Sequence, residues 1–190
     1  MIAVIGKIGV GKSTFLKQLK NYGFKIFIAD DFIRDQYRKD GVLYKLLIET
    51  IGLNISNQQG INRQKLRAWV NEQPYHLAIL EKLIYPVLTT HLKQIHYDLA
   101  ELPVLNSPYA DFAQLFDTIL WLDAPSWKRI KNLKSRKVNA WTIKNLDKLN
   151  NPVFVVNKFR KSKNIIYLKT TKLRNCATFF KIHQLLKNFL

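Results

Sequence analysis

The sequence predicts an α/β fold: a five-stranded parallel sheet between helices in three layers, with a helical insert and a small lid. Three observations carry that expectation. A glycine-rich turn, GKIGVGKS over residues 6–13, sits between a short apolar run and an amphipathic stretch. Four further apolar runs of strand length alternate with segments of helical apolar spacing, as parallel strands joined by crossover helices require. Residues 32–99 read as helical almost throughout, which is more than one crossover needs.

The elements follow in chain order. Ile2, Ala3, Val4 and Ile5 are the first strand run, and Phe15, Leu16 and Leu19 mark the buried face of the helix beyond the turn. The turn fits G-x-x-x-x-G-K-[ST], the phosphate-binding P-loop. Glycines let successive N–H groups point inward around phosphate oxygens, and the helix starting near Ser13 aims its positive end at the same anion. Gly9, Val10, Gly11, Lys12, Ser13 and Thr14 are therefore the expected residues for binding a nucleotide triphosphate. Lys12 would place a mobile charge on the β- and γ-phosphates, and the Ser13 hydroxyl would ligate Mg²⁺.

KIFIAD at 25–30 is the second strand run, ending in an acidic pair. Helical spacing runs from Phe32 to about Ile51, NQQG at 57–60 breaks it, and Asn62 is the N-cap type that opens the next helix. A long periodic stretch from Pro74 to about Leu99 contains Pro86, expected to kink or split it. PVLNS at 103–107 and TILWLDA at 118–124 read as strands three and four, Asn164 to Leu168 as strand five, and 177–189 as a last helix. The helical stretch is expected to lie over the strand C-terminal ends, where open α/β sheets bind ligands. One domain over 1–190 is expected, with its core at about 1–35, 100–134 and 162–190, its insert at about 36–99 and its lid at about 135–161.

Composition sets bounds. At 190 residues and 47% hydrophobic content the chain can bury one full core. Its one cysteine, Cys176, permits no internal disulfide and suits a reducing compartment. No apolar stretch approaches the ~20 residues that span a bilayer, and the N-terminus does not read as a signal peptide, so a cytoplasmic protein without membrane partners is expected. Charge is uneven: residues 1–125 hold 14 Lys and Arg against 12 Asp and Glu, whereas residues 126–190 hold 17 against Asp147 alone. Two origins fit that +16 third, polyanionic partners or a lysine-rich coding bias, since Lys outnumbers Arg 23 to 8. His76, His91, His96 and His183 show no metal-ligand spacing.

Beyond the P-loop the motifs run in one order. GKIGVGKST at 6–14 is close to G-G-I-G-S-G-K-S-T, and IADDFIR at 28–34 to D-A-D-x-I-A-R. INRQKLRAWVNEQP at 61–74 parallels L-D-R-x-x-L-R-x-x-V-F-x-x-P, and LEKLIYPVL at 80–88 parallels L-x-x-L-L-H-P-x-I. TILWLDAP at 118–125 parallels R-V-L-V-V-D-A-P. In these motifs the chain resembles the dephospho-CoA kinase family from residue 1 to about 136. The resemblance implies a P-loop kinase-like fold similar to that of nucleoside monophosphate kinases, with a substrate-binding helical insert. It also implies transfer of the ATP γ-phosphoryl group, with Mg²⁺, to the ribose 3′-hydroxyl of dephospho-CoA, the last step of coenzyme A biosynthesis.

The same resemblance distributes roles. Lys12, Asp30 and Arg136 are the implied catalytic residues, and Arg34, Arg63, Arg67 and Tyr85 the implied acceptor-binding residues. A ribose hydroxyl is a poor nucleophile, so a carboxylate that orients it and takes its proton has a physical purpose. Asp30 fits that role or a helix-capping one, with Asp31 beside it the better cap. Arg34 faces substrate or pairs with a neighbouring aspartate, and Arg63 and Arg67 bind the acceptor pyrophosphate or form a solvated basic face. Arg136 would stabilise charge on the transferring phosphoryl. Five departures stand out: Lys7 replaces a glycine, Ile28 the first aspartate of D-A-D, Tyr85 the histidine of H-P, PYADF the P-L-L-F-E after strand three, with Asp111 for the acid, and the lid's Gln and Arg pattern is not recognisable between Ala140 and Arg160. Two other readings use the same loop: a nucleoside or nucleotide kinase, and a P-loop protein that binds nucleic acid through its basic third. No nucleic-acid motif appears in that third, so nucleic acid is not the expected partner.

Overall fold

The computed structural model describes residues 1–105, 107–135, 151–171 and 176–189. In chain order the elements are β1 Ile2–Ile5, α1 Lys12–Lys20, β2 Ile26–Ile28, α2 Ala29–Gln36, α3 Val42–Ile51, β3 Ser56–Asn57, β4 Gly60–Ile61 and α4 Arg63–Glu72. They continue as α5 His76–Gln94, β5 Leu99–Glu101, β6 Thr118–Asp123, α6 Ser126–Ser135, α7 Pro152–Phe159, β7 Asn164–Lys169 and α8 Cys176–Lys187. The chain forms two compact units, one of Met1–Ile28, His96–Leu105 and Phe112–Leu190, the other of Ala29–Ile95 and Asn106–Asp111. Among the described residues no helix is long and apolar enough to cross a membrane.

The first unit holds the expected five-stranded parallel sheet, ordered β2-β5-β1-β6-β7. β1 is central: Ile2 pairs with Leu99 on one side and Thr118 on the other. Its neighbours therefore deliver their C-terminal residues, Glu101 and Asp123, to the edge where the glycine turn begins. Ile2, Val4, Leu99, Leu120 and Leu122 from the sheet pack with Phe15, Leu16 and Leu19 from α1 and with Ile182 and Leu186 from α8. Helix α1 has Gly11 at its N-cap and no side-chain cap bond. A missing cap costs about 1 kcal/mol, whereas each large apolar side chain buried contributes about 1.5–3 kcal/mol. Packing wins, and the helix starts without a cap.

In the second unit, the continuous helix expected over 32–51 is two helices, α2 and α3. The break is steric and polar: Asp40 takes a positive φ of 72°, a Cβ on Gly41 would lie 2.2 Å from the Gln36 carbonyl oxygen, and the Val42 N–H donates to Gln36 Oε1 at 3.0 Å. Pro86 does not split the next long helix: α5 runs as one helix from His76 to Gln94 with the proline inside it. NQQG forms the turn of the β3–β4 hairpin, and Asn62 caps α4 as expected, accepting from the N–H groups of Gln64 (2.9 Å) and Lys65 (3.1 Å). The hairpin is fastened to the end of α2 by the Ile61 N–H, which donates to the Tyr37 carbonyl at 2.8 Å.

That junction leaves no space at Gly60, whose φ is +134° and whose notional Cβ would come within 2.1 Å of the Tyr37 oxygen. Gly60→Ala is therefore expected to lower stability by about 2 kcal/mol or more, through backbone strain. Urea denaturation checks this, and an unchanged midpoint would show that the hairpin tolerates a side chain.

Strand three lies at Leu99–Glu101, not at 103–107. Pro103 has no N–H to give to a central strand, so pairing stops before it. PVLNS is therefore part of the segment that follows strand three.

Candidate active site

The loop between β1 and α1 is shaped by three glycines in conformations that side chains rarely adopt: Gly6 at φ +152°, Gly9 at +83° and Gly11 at +99°. Gly6 is also crowded, since a Cβ there would lie 2.4 Å from the Leu122 carbonyl oxygen on β6. Val10 is buried and Thr14 exposed. The loop ends at the uncapped start of α1, whose first N–H groups have no intrahelical partner.

Lys12, the first residue of α1, folds back over the loop. Its Nζ donates to the Gly6 carbonyl at 2.9 Å and the Lys7 carbonyl at 3.4 Å, and lies 3.6 Å from Glu101 Oε1. The Ser13 hydroxyl donates to the other oxygen of the same carboxylate at 3.1 Å. Glu101 ends β5 and pairs in register with Val4, two residues before the loop. Strand geometry thus sets a carboxylate, an ammonium and a hydroxyl together at the sheet edge. Hard oxygen donors of this kind, hydroxyl and carboxylate, suit a cation such as Mg²⁺, which takes one or two protein ligands and fills its shell with phosphates and water.

Sequence reasoning missed Glu101. The signal was the acidic residue that follows the apolar pair Leu99-Ala100, obscured because the strand was placed four residues later.

The other expected residues lie in the second unit. Asp30 and Asp31 occupy the first turn of α2, which begins directly after β2, and their negative charge suits that helix end. Asp31 pairs with Arg34 at 2.9 Å; Asp30 is exposed. Arg63 and Arg67 sit one turn apart on the exposed side of α4, whose buried residue is Leu66. Tyr37 directly follows α2, and its carbonyl accepts from the N–H of Ile61, the residue before the cap of α4. Its phenol is pushed up to about 12, chiefly by burial, with the Arg63 charge pulling down and the Asp30 charge pushing up. Asp30 and Arg63 therefore act on one buried, neutral hydroxyl. Tyr85 is buried in α5 and donates to Glu81 Oε1 at 3.0 Å, and burial together with the Glu81 charge raises its phenol further. Arg136 and most of the expected lid fall outside the described residues.

A parallel sheet with this loop on its central strand, and a lysine and hydroxyl at the start of the following helix, is the architecture of the P-loop kinases. The family model described as dephospho-CoA kinase matches residues 1–166, and the chain belongs to the dephospho-CoA kinase family. A dephospho-CoA kinase of Mycoplasma genitalium is 32% identical over 130 residues, which is 65% of this chain and 66% of that protein. The match to this relative thus spans just under two thirds of its length. One from Streptococcus mutans is 32% identical over 147 residues, 72% of each chain. The fold is similar to the solved dephospho-CoA kinase of Campylobacter jejuni, with a TM-score of 0.58, 19% identity, and coverage of 97% of this chain and 96% of that one.

Proposed function

We propose that the protein transfers the γ-phosphoryl group of ATP to the ribose 3′-hydroxyl of dephospho-CoA, forming coenzyme A. The observation that carries this reading is the sharing of one carboxylate, Glu101, by Lys12 and Ser13 at the mouth of the glycine loop. Family membership supports the acceptor.

In this reading the loop N–H groups from Gly9 to Thr14 hold the ATP phosphates, and Lys12 moves from the loop carbonyls to the β- and γ-phosphate oxygens. Ser13 and Glu101 hold Mg²⁺, which offsets charge on the phosphate oxygens when bound. Asp30 orients the 3′-hydroxyl and takes its proton as the ribose O3′–Pγ bond forms and the bond from Pγ to ADP breaks. Arg63 and Arg67 bind the acceptor pyrophosphate, joined by Arg34. Its exposed pair with Asp31 is worth no more than about 1 kcal/mol, so exchanging that partner for a phosphate costs little. Tyr85 supports the helical unit from inside, and Arg136 stabilises charge on the moving phosphoryl. The protein acts in the cytoplasm, and its basic third serves polyphosphate substrates.

Coupled ADP release against a panel of acceptors tests the substrate. Turnover is expected with dephospho-CoA and not with nucleosides or nucleoside monophosphates; a preference for the latter would reassign the acceptor. For the metal, Glu101→Gln is expected to raise the Mg²⁺ concentration for half-maximal turnover about tenfold, since an amide is a weaker ligand than a carboxylate. An unchanged Mg²⁺ titration would remove Glu101 from the site.

A further inference from the structure

Helix α6 follows β6 and places Arg129, Asn132 and Leu133 at i, i+3 and i+4, on one face. All three reach the glycine loop. Arg129 Nε donates to the Ile8 carbonyl at 2.7 Å, and Asn132 Nδ2 donates to the Gly9 carbonyl at 2.8 Å. Leu133 is buried and covers Gly9 so closely that a Cβ there would lie 2.9 Å from its Cγ.

We propose that Arg129 and Asn132 are positioning residues of the phosphate site, which fix two carbonyls of the loop outward so that its N–H groups converge on the nucleotide. The inference rests on the reading of this loop as the ATP site. A trans peptide is planar and its N–H points opposite to its C=O. Anchoring the Ile8 oxygen therefore aims the Gly9 N–H away from α6, and anchoring the Gly9 oxygen does the same for the Val10 N–H. Val10 N–H does turn into the loop, where it makes a long bond to the Lys7 carbonyl at 3.4 Å. Gly9 tolerates either orientation of its flanking peptides because it has no Cβ, so the loop backbone alone does not select one. Side-chain donors from α6 supply that selection. The guanidinium bond is charge-assisted and the stronger of the two. Asn132 adds direction: an aspartate there would face the Gly9 carbonyl with an acceptor.

Equilibrium ATP binding and steady-state kinetics on wild type, Arg129→Gln, Arg129→Lys, Asn132→Ala and Asn132→Asp test this. Arg129→Gln is expected to weaken ATP binding about tenfold and raise the KM for ATP in step, leaving the KM for dephospho-CoA unchanged. Arg129→Lys, which keeps a charged donor, is expected to recover most of the loss. Asn132→Asp is expected to bind ATP more weakly than Asn132→Ala. A residue that merely braced the fold would lower the melting temperature and the active fraction without this split between the two KM values. Wild-type ATP affinity in folded Asn132→Asp and Arg129→Gln would overturn the inference, and if Arg129→Gln does not fold, Asn132→Asp alone decides. Failure of the wild-type protein to bind ATP would overturn the site reading and the inference with it.

Discussion

Lys12→Ala is expected to leave a folded protein whose phosphoryl transfer falls by about 10²-fold or more. The lysine side chain is largely buried, at 16% exposure, and it bonds to two loop carbonyls and pairs with Glu101 at the sheet edge. Alanine is the better helix former, and α1 keeps Phe15, Leu16 and Leu19 in the core, so folding survives. What goes is a charge that strengthens its contact as negative charge shifts towards the leaving ADP. Turnover measured beside circular dichroism checks this. Near-normal rates in a folded variant would refute the assignment of the loop to catalysis.

Asp30→Asn is expected to abolish turnover while ATP binding persists. The amide keeps the size of the carboxylate but cannot accept a proton at neutral pH. The structural cost is small, because Asp30 is exposed in the first turn of α2 and the lost helix-dipole contact is worth about 0.3–1 kcal/mol. ATP affinity and rate are to be measured on one preparation. Full activity would confine Asp30 to the helix terminus.

The parts of the fold that could be read from the chain are those with local chemistry. The glycine loop needs positive φ at Gly9 and Gly11 and has glycine there. Asn62 caps α4 because its short side chain reaches two N–H groups of its own first turn. β6, six residues long and mostly buried, announces itself as TILWLD. Strand three did not: Leu99–Glu101 has three residues, too few to show a period, and the apolar PVL beyond it is a stronger run that cannot pair through Pro103. The split between α2 and α3 falls at Asp40-Gly41, a dipeptide that marks turns, but the helical apolar spacing on both sides of it hid the signal. The candidate site was half legible. Lys12 and Ser13 belong to a contiguous motif, whereas Glu101 comes to Ser13 across 88 residues through strand pairing. Arg129 and Asn132 reach the loop across 121 and 123 residues, in a stretch whose many cations conceal them.

The decisive measurement follows the phosphoryl group itself. ATP labelled in its γ-phosphate is incubated with the protein, Mg²⁺ and dephospho-CoA, and the label is located in the products. One label on the ribose 3′-oxygen of coenzyme A for each ADP formed is the expected result. Label released only as inorganic phosphate, or no ADP at all beside tight, salt-resistant and sequence-selective binding of oligonucleotides, would contradict it.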